Sequence, residues 1–242
     1  MKRIQLLALL CALSVNAFAD HHLQLVHKDG FDNGAKAWLP TDAKKWTVDK
    51  QKDGNSVLHL HGKSSYQPPH RSPHSITLLK DKVVGDFTLT ARVQTLQTTR
   101  GHRDMCIFFG FQDPAHFYYV HLGETPDPHS SQVFIVNDAP RTKITETPDV
   151  GVPWKDGVWH RVKVVRKVKD GLIEIYFDDM SKPQKVAHDK TFQWGAIGLG
   201  SFDDLGLWDD VEIHGKIVDK KADQKFPKMK TKAKGKKKVA RR

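Results

Sequence analysis

The chain has 242 residues, 38% of them hydrophobic, and a formal net charge of +11. That length and apolar content exclude a disordered chain and a disulfide-stapled miniprotein, and they predict one domain. The charge is local: residues 216–242 hold 13 lysines and arginines against Asp219 and Asp223, so the remaining chain is neutral and its folded part does not require a nucleic-acid partner.

At the start, Met1, Lys2 and Arg3 precede an apolar run over residues 4–15 and the small-x-small triplet Ala17-Phe18-Ala19. This is the pattern of a secretory signal cleaved before Asp20, which predicts a secreted or periplasmic protein. The run is short for a bilayer span, no small residue stands just before Cys11 to mark a lipoprotein, and no later segment is apolar enough to cross a membrane. Cleavage removes Cys11 and leaves Cys106 alone, so no intramolecular disulfide is expected. A chain beginning Asp20-His21-His22 would offer an amine, amides and an imidazole to a square-planar ion such as Cu(II).

From there the pattern is period two, with no convincing helix. Strands are predicted at 56–61, 75–79, 86–96, 105–111, 117–122, 132–137, 159–168, 172–177, 196–201 and 208–214. The pairs Asp53-Gly54, Asp113-Pro114, Asp156-Gly157 and Asp170-Gly171 are turn formers between them. Ten short strands predict an all-β, two-sheet antiparallel jelly-roll sandwich over residues 20–215, between a signal peptide (1–19) and a disordered lysine-rich tail (216–242).

Alternation sorts the faces. Phe87, Leu89, Ala91 and Val93 share one side of their strand, which turns Arg92 the other way. Met105, Ile107, Phe109 and Phe111 take the core, leaving Asp104, Cys106 and Phe108 outside. Tyr118, Val120 and Leu122 take the core, leaving Tyr119 and His121 outside. Of Trp154 and Trp159, one is expected in the core and the other exposed, and no tryptophan is assigned to a site.

The order of Phe31-Asp32, Trp46, DFTLTARVQ, MCIFFGF, FYYVHLG, DGVWHRVKVVR, GLIEIYFDD and GAIGLGSFDDLGLWDDVEI resembles the concanavalin A-like lectin/glucanase superfamily, and within it the laminin-G-like and 3-keto-disaccharide hydrolase-like secreted domains. The resemblance covers roughly residues 30–215 and implies a curved sandwich with its ligand site on the concave sheet. It also implies a structural calcium ion between the N-terminal segment and the last strand, held by Asp32 and Asp209, and no organic cofactor.

On that reading Arg92, Asp104, Tyr119 and His121 converge on one surface suited to a sugar or a uronate carboxylate. Asn137 and the proline-punctuated loop with His70, Arg71 and His74 complete the substrate-binding set. A polysaccharide lyase would use His121 and Tyr119 as base and acid with Arg92 neutralising the carboxylate. Glucanase-type hydrolysis lacks its Glu-x-Asp-x-x-Glu strand. His59 and His61 share a strand face and could chelate, without an identifiable third ligand. The expected function is therefore carbohydrate recognition, of an acidic polysaccharide or disaccharide, with a cleaving enzyme and a cell-surface adhesion or matrix protein as alternatives. The basic tail is expected to bind a polyanion: acidic polysaccharide, envelope lipid or extracellular DNA.

Overall fold

The computed structural model describes residues 23–98 and 101–226. The strands in chain order are β1 (Gln24–Asp29), β2 (Trp38–Pro40), β3 (Trp46–Lys50), β4 (Ser56–Leu60), β5 (Ser75–Leu79), β6 (Val84–Thr95), β7 (Cys106–Asp113) and β8 (His116–His121). There follow β9 (Val133–Asn137), β10 (Thr142–Lys143), β11 (His160–Lys167), β12 (Leu172–Phe177), β13 (Lys185–His188), β14 (Ala196–Ser201) and β15 (Gly206–Ile217). Among the described residues one 3-10 turn, Ala43–Lys45, is the only helical element, and no helix is long and apolar enough to cross a membrane. All ten predicted strands form; β1, β2, β3, β10 and β13 were not anticipated.

Every pairing is antiparallel. The first sheet runs β13-β12-β11-β6-β15-β4-β3, and the second runs β10-β9-β8-β7-β14-β5-β2. β15 is long enough to serve two neighbours on one side: Gly206 to Trp208 pair with β4, and Val211 to Gly215 pair with β1. The closed stack is the predicted two-sheet jelly-roll sandwich. Its core is built by the predicted alternation, with Leu89, Val93 and Val164 from the first sheet packed against Ile107, Phe109 and Val120 from the second. In β14, a Cβ on Gly200 would stand 1.9 Å from the Ser75 carbonyl oxygen, so the glycine is what lets β5 lie alongside.

Two bulges overturn expected orientations. At Gly110, φ is +57° and the β7–β8 register slips between Phe109 and Asp113, which turns Phe111 to the outer face instead of the core. At Asp210, φ is +45° and the β15–β6 register slips, so Trp208 and Val211 both point inward while Asp209 points outward against Arg92. Alternation from Val211 and Ile213 alone would have turned Asp209 inward with them; the bulge turns it outward.

The expected tail boundary also moves. Lys216 and Ile217 belong to β15, and Val218 to Phe226 continue as a packed strap: the Asp223 N–H donates to the Gln112 carbonyl at 2.6 Å, and the Gln224 side chain donates to the Leu79 carbonyl at 2.7 Å. The Phe226 ring lies 5.2 Å from Tyr66 and 5.9 Å from Phe111. An apolar ring with a seat on the second sheet offsets the ordering entropy that charge and polarity alone would not. The predicted signal peptide, the Asp20-His21-His22 terminus and residues 227–242 lie outside the described residues.

Candidate functional site

The outer face of the second sheet carries its own hydrophobic cluster, including Phe108, Phe111, Phe117, Tyr119 and Phe134. The strap covers one end. At the other end the start of β7, the end of β8, the loop before β9 and the loop after β14 surround a cavity of about 340 Å³.

Asp104, Ser130 and His121 are buried lining residues, at 1%, 4% and 5% exposure. The Ser131 N–H donates to His121 Nδ1 at 3.3 Å, which leaves the ring proton on Nε2, 3.5 Å from an Asp104 carboxylate oxygen. Burial, helped by the nearby Arg141 guanidinium, pulls the His121 pKa down to about 3, so the ring is a neutral donor at physiological pH. Burial pushes Asp104 the other way, up to about 6, against hydrogen bonds from the Phe202 N–H (3.0 Å) and Cys106 Sγ (3.2 Å). Cys106 is a free, buried thiol among the described residues.

Arg141 is held from several sides. Its guanidinium lies 4.9 Å from the Phe134 ring and 4.5 Å from the Phe202 ring, and it donates to Tyr119 Oη at 3.0 Å and to the His129 carbonyl at 2.9 Å. Its main-chain N–H donates to the Arg71 carbonyl at 3.2 Å, tying the two cavity loops together. Among the described residues neither Arg141 nor Arg71 is ion-paired with a carboxylate, and Arg141 Nε is buried without a hydrogen-bond partner. Two guanidinium groups thus share the cavity lining with the carboxyl groups of Asp104, Asp127 and Asp203. Around the rim stand His102, 3.8 Å from Asp127, and Asp203, 3.6 Å from Lys63.

The structure brings together four of the predicted site residues: His121, Tyr119, Asp104 and Arg71. Tyr119 does not have the predicted catalytic access. It is fully buried, stacked between Phe108 and Phe134, its hydroxyl accepts from Arg141, and burial pushes its phenol well above the usual range. It positions Arg141. His74 stands behind the wall, its ring 5.4 Å from Phe202, while His70 lies 3.9 Å from Asp138.

The other predictions are corrected. Arg92 lies on the first sheet, paired with Asp209 and 2.7 Å from Asp210, with its guanidinium over Trp159. Asn137 is exposed beside His116, at the end of β9 away from His121. Asp32 is exposed, and the Asp209 carboxylate already accepts from Arg92, from Asn55 at 2.8 Å and from the Asp210 N–H at 2.7 Å. With a guanidinium supplying the positive charge there, these residues do not fit a calcium ion. His59 Nδ1 is 2.6 Å from Asp49, and no set of three metal-ligating residues includes it among the described residues. The set that does have ligand spacing is Asp104, Asp203 and Asp204, with oxygens within 4.8 Å.

Sequence reasoning missed Arg141, Phe202, Asp203, His129, Asp127 and His102. All stand in loops, where periodicity carries no signal; the one available hint was Arg141 following Pro140 just after the 132–137 strand.

No protein-family model and no curated protein sequence matches this chain. Solved structures do. The carbohydrate-binding module CBM66 from Bacillus subtilis aligns at a TM-score of 0.53 and 17% identity, over 74% of this chain and 96% of that one. Domain 4 of an extracellular GH43 arabinanase from Geobacillus stearothermophilus, in complex with arabinotriose, aligns at 0.50 and 14%, over 81% and 95%. Peanut lectin aligns at 0.52 and 13%, over 80% and 98%. At these identities the likeness establishes the fold: the concanavalin A-like jelly roll that the sequence resembled.

Proposed function

We propose that this protein is a secreted or periplasmic carbohydrate-binding protein that takes an acidic sugar in the Arg141 cavity. The observation that carries this reading is Arg141: a guanidinium fixed between two rings, bonded to a phenol and a carbonyl, and not ion-paired among the described residues although Asp104, Asp127 and Asp203 line the same cavity. A uronate carboxylate is the complementary group, with Arg71 as a second cation. The neutral His121 and the acidic side chains Asp104, Asp127 and Asp203 supply the mixed donors and acceptors that sugar hydroxyls use. The names of the structural neighbours, a carbohydrate-binding module and a lectin among them, support the same class.

The reading is of binding without turnover. Tyr119, the expected acid or base, offers no free hydroxyl, and Arg92 stands on the other sheet. Calorimetric titration of the full chain with tetrasaccharides of galacturonate, of mannuronate and guluronate, and of neutral arabinose tests the proposal. An acidic tetrasaccharide is expected to bind in preference to the neutral one. Arg141→Ala should weaken it about 10- to 100-fold, the value of a hydrogen-bonded charge. Equal affinity for acidic and neutral sugars, or wild-type affinity in the variant, would overturn the site. Accumulation of unsaturated sugar ends, followed by ultraviolet absorbance, would replace binding with lyase chemistry.

A further inference from the structure

We infer that Ser130 is a specificity-determining residue of the cavity, whose buried hydroxyl is completed by a ring hydroxyl of the same sugar whose carboxylate Arg141 holds. The inference rests on the proposed function and adds what the cavity reads besides charge. It starts from an unmade bond. Ser130 lines the cavity at 4% exposure, and its Oγ is buried without a hydrogen-bond partner among the described residues. The lining has one other such atom among the described residues, Arg141 Nε. A buried hydroxyl with no partner destabilises a fold, and native structures keep few of them.

The turn that carries Ser130 does not let it swing out to water. It is closed in both directions: the Asp127 N–H donates to the Ser130 carbonyl at 3.3 Å, and the Ser130 N–H donates to the Asp127 carbonyl at 3.2 Å. The Asp127 carboxylate accepts from the His129 N–H at 2.6 Å, and the Asp127 carbonyl also accepts from the Gln132 side chain at 3.1 Å. Ser131 follows at φ +55°, a left-handed conformation costly for a residue with a Cβ, and its hydroxyl donates to the Val150 carbonyl at 2.8 Å. The flanking groups serve the cavity too: the His129 carbonyl accepts from Arg141, and the Ser131 N–H donates to His121. A Cβ on Gly123 would stand 2.1 Å from Ser130 Oγ and 2.9 Å from His121 Nδ1, so the hydroxyl sits beside the imidazole in room that a glycine leaves. One rigid turn thus fixes Arg141, His121 and Ser130 relative to each other.

The charges around Ser130 decide what completes it. Arg141 and Arg71 share the lining with Asp104, Asp127 and Asp203, so a second anionic group on the ligand would meet three carboxyl groups. A sugar hydroxyl meets no such repulsion. It exchanges a hydrogen bond with Ser130 and can donate to a carboxylate of the same lining. The ligand class that fits is therefore a sugar with one carboxylate and free hydroxyls, and a site built to bond a hydroxyl rejects the analogue that lacks it.

The test compares the full wild-type chain with Ser130→Ala. Both are titrated with the acidic tetrasaccharides, with the methyl glycosides of galacturonate, mannuronate and guluronate, and with analogues of the tightest glycoside that each lack one ring hydroxyl. Thermal scans without sugar accompany them. Ser130→Ala should weaken the parent glycoside about 10-fold, while its thermal midpoint stays unchanged or rises, because the lost hydroxyl has no bond in the free protein. One deoxy analogue should lose about 10-fold on wild type and bind both proteins equally, which marks the hydroxyl that Ser130 reads. Four results overturn the inference while the cavity reading stands: wild-type affinity in Ser130→Ala, the same loss in both proteins for every analogue, binding of tetrasaccharide but of no methyl glycoside, and a lowered thermal midpoint in the variant. The last would mean that the hydroxyl is bonded within the protein or to a fixed water. A wild-type chain that binds no acidic tetrasaccharide overturns the cavity reading instead.

Discussion

The two sheets share one core but turn different surfaces outward. On the first, outward positions are charged and paired: Lys28 with Glu212 at 2.9 Å, Lys163 over the Tyr176 ring at 3.6 Å, Arg92 with Asp209 and Asp210. On the second, outward positions are aromatic, with Phe108, Phe117, Tyr119 and Phe134 in successive ring contacts. A sheet face that carries aromatics outward must be covered or used. Here the strap covers one end and the cavity opens at the other. An outward cation on the first sheet therefore serves stability, and one at the end of the second is available to a ligand.

The largest test of this contrast is packing. Phe117→Ala, although on an outer face, should destabilise by about 3–5 kcal/mol in urea unfolding, as in a core. Thr88→Ala, outward on β6, should stay within about 0.5 kcal/mol. Comparable small losses at both would erase the difference between the faces.

Next comes the misassigned arginine. Arg92→Ala leaves the buried Asp209 without its cation and should cost about 2–3 kcal/mol, reduced from the fully buried case because Arg92 is 36% exposed. Its saccharide affinity should match wild type; a weakened ligand would bring the first sheet into the site.

Acid then sharpens the comparison within the cavity. His121 has a folded pKa near 3 against an ordinary value of 6.5, so between these values the unfolded chain binds a proton that the native chain refuses. Its contribution to stability is lost as pH falls through that window, by up to about 1.4 kcal/mol per unit. Asp104, raised to about 6, works in the opposite direction between pH 6 and 3.8, so its proton favours the native state there. The difference between wild type and His121→Gln across pH 7 to 4 isolates the histidine; parallel curves would mean that it is not held neutral. His116 has the opposite sign from His121. Its pKa is raised, against the opposing effect of burial, by Asp113 and Asp138, so its stabilisation is present below the ordinary value and lost as pH rises through the folded one.

The smallest effect belongs to the support of Arg141. Tyr119→Phe removes the hydroxyl that accepts from the guanidinium and should weaken an acidic tetrasaccharide about 5-fold, roughly 1 kcal/mol, with the thermal midpoint nearly unchanged. Complete loss of binding would make the hydroxyl a ligand group rather than a positioning one.

Alternation exposed Asp104, Tyr119 and His121 as outward groups because each lies on or beside a long strand whose inward partners are apolar. The same reasoning placed Arg92 outward, correctly, and on the wrong sheet, because alternation assigns a side to a residue without saying which sheet its strand joins. Phe111 and Asp209 failed differently. One bulge at Gly110 and one at Asp210 each shift the period by a residue, and neither position announces a bulge in one dimension.

By itself the sequence determined what short-range physics controls: ten of the strands, the turns between them, the two-sheet class, most of the inward apolar sets and the concentration of charge at the C-terminus. Which strands neighbour each other, where Arg141 and Phe202 meet, and that the strap up to Phe226 crosses to the second sheet were decided only by the tertiary structure. These are contacts between residues tens of positions apart, and their energy comes from shared burial and complementary charge, which no local pattern of side chains encodes.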